Sequence, residues 1–151
     1  MRWHEVAEGF ARDGALRDIY VFGTSAREWQ DVYDAIRSAY RVRFHDLTHP
    51  PDDVRELLNA MESCTITVEP DGLDINCHFF TEDEIEFDLS PDGVTSRETL
   101  DPVCRFMQVV GRAAGKDAVL VVEDGRDWII LRFDVKTDAV FAGSHAGIRL
   151  R

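Results

Sequence analysis

Apolar residues recur along this chain with two periods, and the switches between them mark out its elements. Trp3, Val6, Ala7 and Phe10 fall at i, i+3, i+4 and i+7, the spacing of one helical face. Gly14 ends that segment. Asp18-Ile19-Tyr20-Val21-Phe22 then reads as a strand apolar on both sides, hence interior to a sheet. Beyond the Gly23-Thr24 turn, Ser25 to Glu28 has the form of a capping box, in which the Ser25 hydroxyl accepts from the Glu28 N–H and the Glu28 carboxylate reaches back. Trp29, Val32, Tyr33, Ile36 and Tyr40 give the helix behind it an apolar stripe. Tyr40, Val42 and Phe44 then alternate with Arg41, Arg43 and His45, which predicts a half-exposed strand with a basic outer row.

His49-Pro50-Pro51 opens another helix, with Val54, Leu57, Leu58 and Met61 as its buried face. Three short strands follow, with turns at Pro70-Asp71-Gly72 and Thr81-Glu82-Asp83. Cys64, Ile66 and Val68, then Leu73, Ile75, Cys77 and Phe79, then Ile85, Phe87 and Leu89 point one way. The opposite face shows Thr65, Thr67 and Glu69, then Asp74, Asn76 and His78, then Glu84, Glu86 and Asp88. After the Pro91-Asp92-Gly93 turn, Asp101 and Pro102 read as the N-cap and first residue of a helix. Its stripe is Val103, Phe106, Met107, Val110 and Ala114, and Gly115 stops it. Ala118–Val122 is a continuous apolar strand, expected to be central. Asp124-Gly125 marks a hairpin turn, and Ile129, Leu131, Phe133 and Val135 alternate with Ile130, Arg132 and Asp134. Lys136-Thr137-Asp138 leads to a last strand, Ala139–Ala142. The tail from Gly143 has little pattern and is expected to be flexible. The order α-β-α-β-α-β-β-β-α-β-β-β predicts a single α+β domain over 1–151, with a mixed or largely antiparallel sheet and helices mainly on one face.

Charge changes this picture in one place. Residues 51–100 hold fourteen Asp or Glu against two Arg, a balance of −12, and the flanking thirds balance at −1 and +1. The whole net charge of −12 therefore sits in the third that contains the three-strand meander. With 44% hydrophobic and 30% charged residues in 151, the chain suits one globular domain with a sizeable core. A pI of about 4.7 argues against binding nucleic acid or an anionic membrane through a basic face. It favours a basic protein partner, a cation, or plain solubility. Three cysteines, Cys64, Cys77 and Cys104, form no C-x-x-C pair and fall at apolar positions, so free buried thiols are expected. The N-terminus has no apolar signal core and the chain no 18-residue apolar run, which predicts a cytoplasmic protein.

Catalytic motifs are missing. There is no G-x-S-x-G, no H-E-x-x-H, no Walker lysine and no set of paired zinc ligands. His45 and His49, with Asp46 between them, have helical spacing but lie between a strand and two prolines, and read as exposed loop histidines. His78 follows Cys77, but neighbouring strand residues face opposite ways, so the imidazole cannot activate the thiol. It reads as an exposed sheet histidine or as a pH-sensitive contact among carboxylates. Gly23-Thr24-Ser25 has the shape of a phosphate-binding turn, but the capping box is expected to use its donors. A divalent-metal site on the acidic strands lacks ligand spacing. No cofactor, metal or catalytic residue is predicted.

Leu16-Arg17-Asp18-Ile19-Tyr20-Val21, Trp29-Gln30, the acidic meander, and a Phe106…Gly111…Gly115-Lys116 helix feeding Val119-Leu120-Val121-Val122-Glu123 resemble small cytoplasmic immunity proteins of bacterial toxin systems. The resemblance implies a non-catalytic acidic protein that binds a cognate basic toxin domain and occludes its active site. The expected partner-binding residues are Glu69, Asp74, His78, Glu82, Asp83, Glu84, Glu86 and Asp88, with Phe80 and Trp128 as aromatic anchors beside acids. The alternatives are a small-molecule binder or enzyme whose pocket is assembled from distant residues, such as His45, His78 and nearby carboxylates, or a homodimeric interaction module. Charge can also serve solubility alone.

Overall fold

The computed structural model describes residues 1–45, 47–60, 64–123 and 125–143, with the backbone alone at 125–127. Asp46, Met61, Asp124 and the tail from residue 144 lie outside the described residues, and so do the expectations placed on them. The elements are α1 (Trp3–Val6), β1 (Arg17–Phe22), α2 (Ala26–Ala39), β2 (Val42–Phe44), α3 (Arg55–Leu58), β3 (Thr65–Val68), β4 (Ile75–His78), β5 (Glu84–Leu89), α4 (Arg97–Ala114), β6 (Ala118–Val122), β7 (Gly125–Asp134) and β8 (Ala139–Ala142). The fold is a single α+β domain, in the predicted element order. All eight strands belong to one sheet in the order β2-β3-β4-β5-β1-β6-β7-β8, and every neighbouring pair is antiparallel. Among the described residues, no helix is long and apolar enough to cross a membrane.

The core lies between one face of this sheet and the two long helices. Trp29, Val32, Tyr33 and Ile36 of α2 and Val103, Phe106, Met107 and Val110 of α4 pack on Ile19, Val21, Ile66, Ile75, Ile85, Phe87, Leu120 and Phe133. Strand alternation then sends the intervening side chains to the other face, which neither α2 nor α4 covers.

Several local expectations are corrected. Helix α4 begins five residues earlier than predicted, because Ser96 and Thr99 form its cap, and the Ser96 hydroxyl accepts from the Thr99 N–H. Pro102 is inside the helix, where it removes one hydrogen bond. The N-terminal stripe splits into α1 and a 3₁₀ segment, Ala7–Phe10, in which Gly9 approaches Ile130 too closely for a Cβ: one built there would lie 2.6 Å from Ile130 Cγ2. The helix after Pro51 is a single turn. Ile130, expected on the outer face of its strand, is fully buried in the main core, because β7 shifts register against β6 between Leu120 and Val121. Cys77 is buried, but Cys64 and Cys104 are only half-buried.

Arg17 fastens the N-terminal segment to the sheet. Its side chain is 1% exposed, and its guanidinium donates to the carbonyls of Gly9 (2.6 Å), Ala11 (2.8 Å), Ala15 and Leu16 and to both carboxylate oxygens of Asp13 (3.1 Å each). A planar fork with five N–H donors is what so many converging acceptors require.

Candidate functional site

The open face can be read row by row from the strand register. One row crosses the sheet as Arg43–Thr67–Asn76–Asp88–Asp18–Val121–Ile129. The next runs Thr65–His78–Glu86–Tyr20–Val119–Arg132–Phe141. Both rows change character at β1, polar toward β2 and, apart from Arg132, apolar toward β8.

The polar half is a hydrogen-bonded network. The Thr67 hydroxyl contacts His45 Nε2 at 2.8 Å and donates to Asn76 Oδ1 at 2.9 Å. Asn76 Nδ2 donates to Asp88 Oδ1 at 2.9 Å, and His78 Nε2 lies 2.5 Å from Asp88 Oδ2. His78 Nδ1 faces the Thr65 hydroxyl at 3.3 Å. The His78 side chain is only 18% exposed, so it is not the exposed histidine expected from the sequence. The hydrogen bond to Asp88 raises its pKa, with further help from Glu86 and Asp18, against the opposing effect of burial. Burial would raise the pKa of Asp88, but hydrogen bonds from His78 and Asn76 together bring it below the ordinary value. Carboxylate, imidazole and hydroxyl thus stand in line. Below its raised pKa, however, the imidazole donates from both nitrogens and has no lone pair with which to take the Thr65 proton. The arrangement is a half-buried imidazole–carboxylate hydrogen bond set into a sheet, charged on both sides only while His78 is protonated.

Asp18 sits directly opposite Asp88 and is half-buried between the two halves of the face. Burial raises its pKa to about 6, aided by the charges of Glu86, Asp88 and Glu123, while the Tyr20 hydroxyl donates to it at 3.4 Å. It was not among the residues expected at the site. Its one signal in the sequence was an acid standing in a strand otherwise apolar on both sides.

The ten expected contact residues are not one patch. Glu69 and Asp74 lie at the β2 end and are paired with arginines of the basic row: Arg43 reaches Glu69 at 3.3 Å and Asp74 at 3.2 Å, and Arg41 reaches Glu69 at 3.5 Å. His78 and Asp88 are hydrogen-bonded to each other. Glu84 and Glu86 are half-buried and face Phe22, Tyr20 and His78 rather than other carboxylates. Phe80 is 53% exposed and stacks flat on His78, with ring centroids 5.1 Å apart and planes at 5°. Glu82 and Asp83 are exposed, but their turn also has a structural task. The Asp83 carbonyl accepts from the N–H groups of Gly23 (3.0 Å) and Thr24 (3.2 Å), and the Glu82 carbonyl accepts from the Thr24 hydroxyl (2.6 Å). The donors of the phosphate-like turn are thus taken up by Asp83, while the capping box operates one residue later. Trp128 does not join the site. It packs against the helix-side core, on the opposite face from Ile129, so it is no anchor for a partner on this surface.

Two of the three thiols are held in their protonated form. Burial raises the pKa of Cys77 well above normal and that of Cys104 to about 11. Among the described residues, no three His, Cys, Asp or Glu side chains are grouped as metal ligands would be. No protein-family model, curated protein or solved structure matches the chain.

Proposed function

We propose that the chain is a non-catalytic acidic protein of the cytoplasm that docks a basic protein on the polar half of its open sheet face, in the manner of an immunity protein and its toxin. One observation carries this reading. The two long helices leave one face of an eight-stranded sheet uncovered, and half of that face is a pre-ordered polar network rimmed by carboxylates with an exposed aromatic ring on top. Ordered side chains lose little entropy on binding, and a carboxylate rim attracts a basic surface over a Debye length. Glu82, Glu84 and Glu86 supply the charge. Phe80 supplies the apolar anchor, already held in place by His78. Asp88 and His78 hold the surface together and contribute shape more than charge.

The test is capture of a basic protein from the native host by the tagged chain, followed by co-expression of the chain with the captured toxin domain. The chain should protect the cell and co-purify with the toxin. The Glu84→Lys/Glu86→Lys variant should associate at least about tenfold more slowly at low salt, with the gap narrowing as salt rises. Phe80→Ala should mainly speed dissociation. Unchanged association of the double variant would sink this surface assignment, and failure of the wild-type chain to bind or protect would sink the functional reading.

A further inference from the structure

The apolar half of the open face holds a cavity of about 450 Å³, within the size range of small-molecule sites. Its floor is Val119, Val121 and Ile129, and its wall is the Tyr20–Phe22 stack, with ring centroids 5.2 Å apart and planes at 17°. Phe22 is 46% exposed at the cavity's mouth. Among the described lining residues, two are cations, Lys116 and Arg132, and one is an acid, Asp117. The Asp117 carboxylate is already engaged, because it accepts from the Val135 N–H at 2.9 Å. Its pairing with Arg132 is loose, at 3.9 Å. Among the described lining residues, cations therefore outnumber acids, in a protein of net charge −12.

We propose that this cavity binds a small aromatic carboxylate, its ring lying on Val119 and against Phe22 and its carboxylate held by Arg132 and Lys116. An apolar pocket alone would favour any greasy molecule. Two cations at its rim select the anion, and Arg132 offers a planar fork suited to a carboxylate. A cationic ligand gains nothing here, although it would be drawn to the acidic half of the same face. The site is separate from the protein-docking half and does not depend on that reading.

Calorimetry or NMR titration of the full chain with indole-3-acetate, its amide and tryptamine tests the assignment. The acid is expected to bind saturably, with the amide about tenfold weaker or worse and the amine weaker still. Arg132→Gln and Lys116→Gln should each weaken the acid several-fold and leave the amide unchanged. Val119→Trp should block both by filling the cavity. The two rim variants change partly exposed side chains, and their melting temperatures without ligand establish that they fold. The absence of saturable binding up to about 5 mM would overturn the proposal, since that corresponds to less than about 3 kcal/mol. So would equal binding of acid and amide, or a preference for the amine. Binding of a peptide ending in phenylalanine where the free acid fails would overturn the small-molecule occupant.

Discussion

Asp18 is the residue whose chemistry most directly shapes the behaviour of this protein with pH. Its folded pKa of about 6 lies above the ordinary 3.8, so the fold favours its protonated form. That contribution to stability is complete below pH 3.8 and is lost as pH rises through about 6. His78 acts in the same direction, because its raised pKa gives stability that is present below 6.5 and lost as pH rises through the folded value. Asp88 acts oppositely, giving stability above 3.8 that is lost as pH falls through its lowered pKa. Stability should therefore peak on the mildly acidic side. Asp18→Asn should stabilise the protein above pH 6 by on the order of 1 kcal/mol, discounted for the half-exposure of the group. Melting temperatures of both proteins from pH 4 to 8 check this, and a gain that persisted at pH 4 would refute it. Arg17 presents the opposite case, a charge buried with six hydrogen bonds. Arg17→Met should destabilise by about 3 kcal/mol or more, since it strands the carbonyls that fold around the guanidinium. Arg17→Lys should recover only a minor part, because an ammonium lacks the fork. Urea midpoints decide both.

Helix α4 shows how an element is placed by contacts that its own pattern conceals. Gly111 is a poor helix former, yet it sits in the middle of the stripe because a Cβ there would overlap the ring of Phe133 on β7. Gly111→Ala gains about 1 kcal/mol of helix propensity but forces a fully buried aromatic aside. A net loss of about 2 kcal/mol is expected, which lowers the melting temperature by roughly 4–8 °C. An unchanged or raised melting temperature would mean that helix and sheet adjust freely. The element order was legible because each run kept one period, 3.6 in α2 and α4 and 2 in β4 and β5. What was not legible came from contacts distant in sequence. The Ser96–Thr99 cap was masked by the more familiar Asp101-Pro102 signal, and the inward turn of Ile130 follows from a register shift that β7 makes only against β6. The antiparallel arrangement of all eight strands also had to await their lateral order, because β1 and β2 are joined through a helix and end up four places apart.

At the scale of the molecule, sequence alternation correctly divided the three meander strands into a core side and an acidic side, but charge counted along the chain overstated the charge presented in space. Arg43 of β2 and Arg41 just before it lie twenty-odd residues ahead of the meander, and they pair with Glu69 and Asp74. Asp18 comes from still earlier and adds to the face. The cavity residues Phe22, Lys116 and Arg132 come from three separate stretches, none with a motif. A net charge of −12 still remains on 151 residues, and its effect on the fold can be measured against that of the ion pairs. Most of those pairs are exposed and contribute little, while the excess carboxylates repel one another over about 10 Å at 0.1 M salt. Screening should remove more repulsion than attraction. Raising sodium chloride from about 0.02 to 0.5 M should therefore raise the melting temperature by a few degrees at pH 8, where Asp18 is ionised. At pH 5, where Asp18 is largely neutral, the rise should shrink. The Glu84→Lys/Glu86→Lys variant, which shifts the net charge by four units to −8, should show a smaller rise at both pH values. A melting temperature that fell with salt at pH 8 would mean that the arginine–carboxylate pairs outweigh the surplus acid, and that the face is electrostatically satisfied before any partner arrives.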